Sequence, residues 1–154
     1  MSPTGDSGRE EKRDPYGLER FVRAQAGIYD RVLDELRSGS KRSHWMWFIF
    51  PQIKGLGMSE MSVRFAIDSL DEAKAYLAHA VLGPRLNECA ETVLAVKRGT
   101  AEQIFGYPDD MKFRSSMTLF VKASEQGSAF ERALARYFNG QQDEATLKQL
   151  AQVR

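Results

Sequence analysis

From Leu18 onward, apolar residues recur with the period of amphipathic helices. Leu18, Phe21, Val22, Gln25, Tyr29, Val32, Leu33 and Leu36 fall three or four residues apart, the spacing that gathers side chains on one helix face. Asp14-Pro15 supplies a start and Ser38-Gly39 a stop, so one helix is expected across this stretch. Ser59 is an N-cap signal ahead of Met61, Val63, Phe65, Ala66 and Ile67. Ser69 with Glu72 makes a capping box for a helix that turns Ala73, Tyr76 and Leu77 inward. Gly83-Pro84 interrupts near the end of that helix, and Leu82, Leu86, Cys89, Val93, Leu94 and Val96 mark a longer one that Gly99 ends. Thr100 with Gln103 repeats the capping box before a short turn of helix closing at Phe105-Gly106. Tyr107-Pro108-Asp109-Asp110 then reads as a turn with an Asp cap, opening a segment with Met111, Phe113, Met117, Leu119, Phe120 and Val121. Phe130, Leu134, Tyr137 and Phe138 form another helix closed by Asn139-Gly140, and Asp143 caps a last one through Leu147 and Leu150. Strand signals are weak throughout, and there is no internal repeat. The expected fold is all-α, a single compact domain of orthogonal helices over residues 15–154. Residues 1–14 are polar and rich in Ser, Gly and Pro, and are expected to be a disordered tail.

One stretch departs from this pattern. Lys41 to Gly57, KRSHWMWFIFPQIKGLG, places six apolar residues in succession, from Trp45 to Phe50, between a basic, histidine-bearing lead-in and a Pro-Gln, Lys and glycine-spaced exit. A run without a period fits a buried strand or a short buried helix equally. A short helix or irregular core segment is the expectation, ended by Pro51, which disfavours helical geometry at Phe50.

Composition narrows the classes of function. The chain has 154 residues, enough to bury a core without a staple, and its 22 Lys and Arg against 21 Asp and Glu leave a formal charge of +1. No overall field favours nucleic acid or an anionic membrane. A single cysteine, Cys89, excludes an internal disulfide, and two separated histidines, His44 and His79, match no common metal spacing. The N-terminus lacks the apolar region of a secretory signal and no apolar run reaches a membrane span, so a cytoplasmic location is expected, with no metal and no cofactor.

Three motifs, HWMWFIFPQIKGLGMS, SLDEAKAYLAHAVLGPRLNEC and IFGYPDDMKFRSSMTLF, together with an ending of the form F..AL..YFNGQQDEATL, resemble the DUF1810 family, also called the Rv1873-like superfamily. The resemblance runs from about Leu18 to Leu150 and implies a compact, mainly α-helical domain of unassigned function. Two positions depart from the family pattern. Ala80 stands where Pro follows the histidine, and Phe65 where Tyr is common, which argues against an essential hydroxyl there. The order of parts also looks like the NADAR proteins, α-helical enzymes associated with ADP-ribose and nucleotide-linked N-glycosides, over a smaller part of the chain and with looser spacing. Likeness of layout does not by itself transfer chemistry.

Two polar concentrations suggest a site. Trp45 and Trp47 can stack an aromatic ring, and His44 is a candidate general acid or base near neutral pH. Gln52, Lys54 and the Gly55/Gly57 pair offer an amide, a cation and accessible backbone N–H groups for an anion. Phe48, Ile49 and Phe50 read as core. In the second concentration, Lys112 shares a helix face with Ser116, Arg114 shares one with Thr118, and Ser115 lies between. Each group also has a plainer explanation, as core aromatics, an ordinary glycine turn, or a capped helix with solvated cations and small residues at a packing face. No Ser-His-Asp order or nucleophile elbow occurs, and His79 and Cys89 read as structural, His79 as a cation at a helix end.

The functional expectation is therefore a small-molecule site where the two segments meet. His44 and Lys112 are its candidate catalytic residues, and Trp45, Trp47, Gln52, Lys54, Ser115 and Ser116 its candidate ligand-binding residues. Its ligand would be nucleotide-like or phosphate-bearing, such as an ADP-ribose derivative, with hydrolysis of an N-glycosidic bond as the candidate reaction. The alternative is a non-catalytic protein-interaction module in which the aromatic motif is core. The site requires the Lys112 to Ser116 segment to fold back onto the Trp-bearing one.

Overall fold

The computed structural model describes residues 14–152. Of the expected tail, residues 1–13 lie outside this range, while Asp14 already belongs to the fold. Its two carboxylate oxygens accept the N–H groups of Leu18 and Glu19 at 2.7 and 3.1 Å. The fold is all-α, with ten helices and no strand among the described residues.

The predicted first helix is two. α1 (Glu19–Gln25) and α2 (Tyr29–Arg37) are separated by Ala26-Gly27-Ile28, where Ala26 turns extended and Gly27 takes a φ of +78°. A positive φ costs glycine little, so the chain can break here without losing the apolar stripe on either side. α3 (Met46–Ile49) is the short buried helix expected of the aromatic run, and Phe50, ahead of Pro51, leaves helical geometry with ψ 74°.

The chain then makes an excursion from Ile53 to Ile67, residues joined by an isolated parallel bridge. Inside it lies α4 (Glu60–Arg64), capped by Ser59 and burying none of its residues. α5 (Leu70–Ala78) has the Ser69 cap, but Glu72 returns its bond to the N–H of Asp68 rather than to the cap itself. α6 (Leu82–Leu94) starts from an unforeseen cap. His79 stands at the end of α5, as its C-cap, and its ring Nδ1 also accepts the N–H groups of Val81 and Leu82 at 3.1 and 3.2 Å, so one residue closes α5 and caps the start of α6.

α7 (Ala101–Phe105) carries both bonds of the Thr100/Gln103 capping box. α8 (Asp109–Ala123) begins at Asp109 itself, after a cis Tyr107-Pro108 bond and with no side-chain cap, against the expected Asp cap. α9 (Ala129–Phe138) ends at Asn139 in the left-handed region, and α10 (Glu144–Gln152) is capped by Asp143 as expected.

α8 is the central helix, covered by α5, α7, α9 and α10, while α6 packs on α2, α5 and α9 and α1 packs on α3. The aromatic run is tied to this centre through Phe50, whose ring meets Phe113 of α8 edge-on at 5.0 Å and Phe105 of α7 at 5.9 Å. That contact seats the HWMWFIF segment against the start of α8. Cys89 is buried on α6 and its thiol is pushed up to about 12 by that burial, which leaves it inert.

Candidate functional site

The site is built outward from Glu35. On α2, Glu35 shares the inward face with Val32, Leu33 and Leu36, an unfavourable place for a carboxylate unless its oxygens are bonded. They are. Its oxygens accept the Arg42 and Ser43 N–H groups at 2.6 and 2.9 Å, the Ser43 hydroxyl, and the Trp45 indole N–H at 3.1 Å. Burial alone would raise this carboxyl, but those bonds outweigh it and hold it at about 2, below its ordinary 4.5. Glu35 thereby fixes the loop that carries Lys41 to Trp45. A hollow of about 350 Å³, lined by Arg31, Asp34, Ser38 and Arg42, opens beside it.

The same loop is stitched to the chain ahead of α8. The N–H of Lys41 donates to the carbonyl of Ile104 at 2.7 Å. The Lys41 side chain, only 8% exposed, donates to the Ser43 carbonyl at 2.6 Å, pairs with Asp109 Oδ2 at 2.9 Å, and stands 5.1 Å from the Trp45 ring centre. The other oxygen of Asp109 faces Lys112 Nζ at 3.4 Å, one helical turn on. Lys112 in turn stands over the ring of Trp47 at 5.2 Å, within cation–π range. One carboxylate thus bridges two ammonium groups from separate segments, and the outer of the two lies on a half-buried tryptophan.

The structure brings Lys112 and Trp47 together as the sequence required, and leaves His44 exposed on the loop between Ser43 and Trp45. Trp45 is corrected to core. It is 1% exposed with its N–H spent on Glu35, so neither face of its ring is open to a ligand. Ser115 and Ser116 are likewise interior. Ser115 Oγ bonds the Met111 carbonyl and Asp143 Oδ2 at 3.1 and 3.0 Å, because α10 lies across that face of α8. Ser116 is fully buried, and its hydroxyl lacks a partner among the described residues.

Gln52 and Lys54 flank the bridge at Ile53. The Gln52 carbonyl accepts the Ile67 N–H at 2.8 Å, and the Lys54 N–H donates to the Ile67 carbonyl at 2.9 Å. Gly55 takes a φ of +93°, a conformation that L side chains rarely adopt, so the turn calls for glycine there. Arg114 holds the carbonyls of Gln141 and Gln142 at 2.9 and 3.0 Å, and so is committed to the connection between α9 and α10.

Glu35 is the residue that pattern reasoning missed as part of a site, and Asp109, which belongs to the second polar concentration, reads from the sequence only as a helix cap. A charge on an apolar stripe was the available signal for Glu35, and the i,i+3 spacing from Lys112 was the one for Asp109. Among the described residues, no group of three or more His, Cys, Asp and Glu side chains is placed to hold a metal. No helix among them is long and apolar enough to cross a membrane. A larger groove, of about 710 Å³, lies among Leu77, Gly83, Glu88, Glu91, Phe130 and Arg132, and shares no residue with the site above.

The loop and the α8 start that form this site both lie within the stretch that known proteins share with this chain. A family profile described as "Protein of unknown function (DUF1810)" matches residues 15–150. The chain belongs to the DUF1810 family. Its fold is similar to that of the conserved hypothetical protein Rv1873 from Mycobacterium tuberculosis, at 53% sequence identity and a TM-score of 0.88, covering 90% of this chain and 99% of that one. Among curated proteins, none matches. Membership therefore accounts for the all-α fold of this DUF1810 protein and carries no assigned activity, which leaves function to the geometry of the site.

Proposed function

We propose that this DUF1810 protein binds a small nucleotide-like or phosphate-bearing molecule at the surface formed by Trp47, Lys112 and Asp109, with His44 exposed on the loop that leads into α3. The observation that carries the proposal is Lys112, an ammonium held over a partly open indole and only loosely paired with a carboxylate. Such a pair offers a charge for a phosphate and an aromatic face for a base within one side chain's reach. The inner half of the cluster, Lys41 and Glu35, is fully bonded and serves to hold that geometry.

For a ribosyl ligand, the residues at hand suit cleavage of the N-glycosidic bond. Water adds to the anomeric carbon, the C–N bond breaks with its electron pair passing to the base, and the proton released by water ends on the departing nitrogen. In that scheme Asp109 faces the cationic sugar, Lys112 holds the phosphate and His44 relays the proton. The looser likeness to NADAR proteins points to the same reaction class.

Isothermal titration with AMP, ADP-ribose, NAD and adenosine tests the proposal. Binding of the phosphorylated ligands is expected, with Trp47→Ala and Lys112→Ala each weakening it and thermal unfolding little changed. Loss of base stacking should cost about 1–3 kcal/mol. If none of these compounds binds, the site is not a ligand site. If they bind but chromatography detects no released base, hydrolysis is excluded and binding stands.

A second reading, a non-catalytic interaction module, draws support from the burial of Met46, Phe48, Ile49 and Phe50 as core and from the exposure of Met58 and Val63 on the Ile53 to Ile67 excursion. That reading expects Met58→Glu and Val63→Glu to abolish an interaction while Lys112→Ala does not.

A further inference from the structure

Within the site proposed above, and resting on that proposal, we infer that Asp109 is an internal competitor at Lys112, standing in for the ligand's own anion, so that it weakens anionic ligands and leaves neutral ones unaffected. The two lysines that Asp109 bridges are not equivalent. Lys41 is 8% exposed, meets Asp109 at 2.9 Å, and spends a further donor on the Ser43 carbonyl while its ammonium faces Trp45. Lys112 is 27% exposed and meets Asp109 at the longer distance of 3.4 Å, and its remaining contact is the Trp47 ring. An incoming anion therefore meets Lys112, the outer cation with donors to spare, and leaves the Lys41–Asp109 pair in place.

Such an anion competes with one carboxylate oxygen and also feels the repulsion of the charge that stays behind. A singly charged carboxylate would exchange one weak pair for another, with that repulsion added. A phosphate dianion doubles both the attraction to Lys112 and the repulsion from Asp109, so the carboxylate weakens it more than a monoanion, and what favours it is the additional acceptor oxygens it offers the Lys112 ammonium. The adjacent Asp110 does not enter this competition directly. It lies two positions from Lys112 along α8, a spacing that places the two side chains on different faces. Trp47 supplies the selection, because only a ligand whose phosphate is joined to a flat ring uses both contacts.

Asp109→Asn keeps the shape of the side chain and removes its charge, so titration of the full chain with inorganic phosphate, AMP, adenosine and acetate tests the inference. The expected result is AMP binding about five- to tenfold tighter in Asp109→Asn than in the natural chain, inorganic phosphate tightened in parallel, and adenosine unchanged. A merely structural role for Asp109 would move AMP and adenosine together. Trp47→Ala should weaken AMP and leave inorganic phosphate unaffected, which separates a nucleotide from a free phosphate as the species selected.

If AMP binds the natural chain but Asp109→Asn binds it no tighter, the inference about Asp109 is overturned while the ligand site stands. If neither form binds AMP or phosphate, the ligand site itself is refuted and the inference with it. Binding that appears only in Asp109→Asn supports the competition directly.

Discussion

Four donors converge on the Glu35 carboxylate, and they make one buried residue responsible for the shape of a loop it does not belong to. The pH dependence of stability should show this. The folded carboxyl sits at about 2, below its ordinary 4.5, so its stabilisation is present above pH 4.5 and is lost as the pH falls through about 2. Glu35→Gln is expected to cost about 1–2 kcal/mol at pH 7, less than the full shift implies because solvent near the loop screens the group. Urea unfolding of the two forms at pH 7, 5, 3 and 2 should give midpoints that converge toward the acid end. A constant offset across that range would show that Glu35 acts through packing alone. At this scale the sequence disclosed less than it did elsewhere. Trp45 and Trp47 differ by two positions in a run without a period, and only the placement of Glu35 and Lys112 makes one of them core and the other half-buried. Bonds between residues that are distant in sequence decide such cases, and no local pattern encodes them.

Helices were more legible, because caps and apolar spacing are local. Ser59, Ser69, Thr100 and Asp143 all cap where their residue types suggest. The misses include Gly27, where the chain turns within an otherwise continuous apolar pattern, and the start of α8, which has no side-chain cap. The α5–α6 junction is the sharpest example. Gly83 lies in the first turn of α6, where a Cβ would meet the Leu77 carbonyl oxygen at 2.0 Å, so the two helices approach backbone to backbone and only glycine fits. Gly83→Ala should therefore destabilise the protein by about 3 kcal/mol, the upper part of the range for overpacking, since a backbone cannot yield as a side chain does. His79→Ala removes the ring that caps the same helix and should cost about 1 kcal/mol, the ordinary value of an N-cap. Thermal unfolding of both variants checks the order. If Gly83→Ala proves the milder, the close approach of α5 and α6 is not maintained in solution.

At the scale of the whole molecule, the Ile53 to Ile67 excursion carries a helix that buries none of its residues, and Arg20 of α1 holds its end. The guanidinium donates from Nε to the Arg64 carbonyl at 2.9 Å, and from Nη2 to the Ala66 carbonyl at 2.7 Å and to Glu72 Oε2 at 3.0 Å. Arg20→Ala therefore does two separable things. It frees the end of the excursion, and it strands Glu72, 2% exposed, without its cation. Loss of one partner of a mostly buried pair should cost about 2–3 kcal/mol in global stability. Adding Glu72→Gln removes the stranded charge and should restore much of that loss, yet the Arg64 and Ala66 carbonyls remain unheld. Hydrogen exchange should then report faster opening across residues 54–66 in both the single and the double variant, with the remaining helices recovering protection only in the double. If the double variant recovers protection throughout, the excursion is secured by Ile53, Phe65 and Ile67 in the core rather than by Arg20. If exchange there is unchanged in the single variant, Arg20 does not secure the excursion.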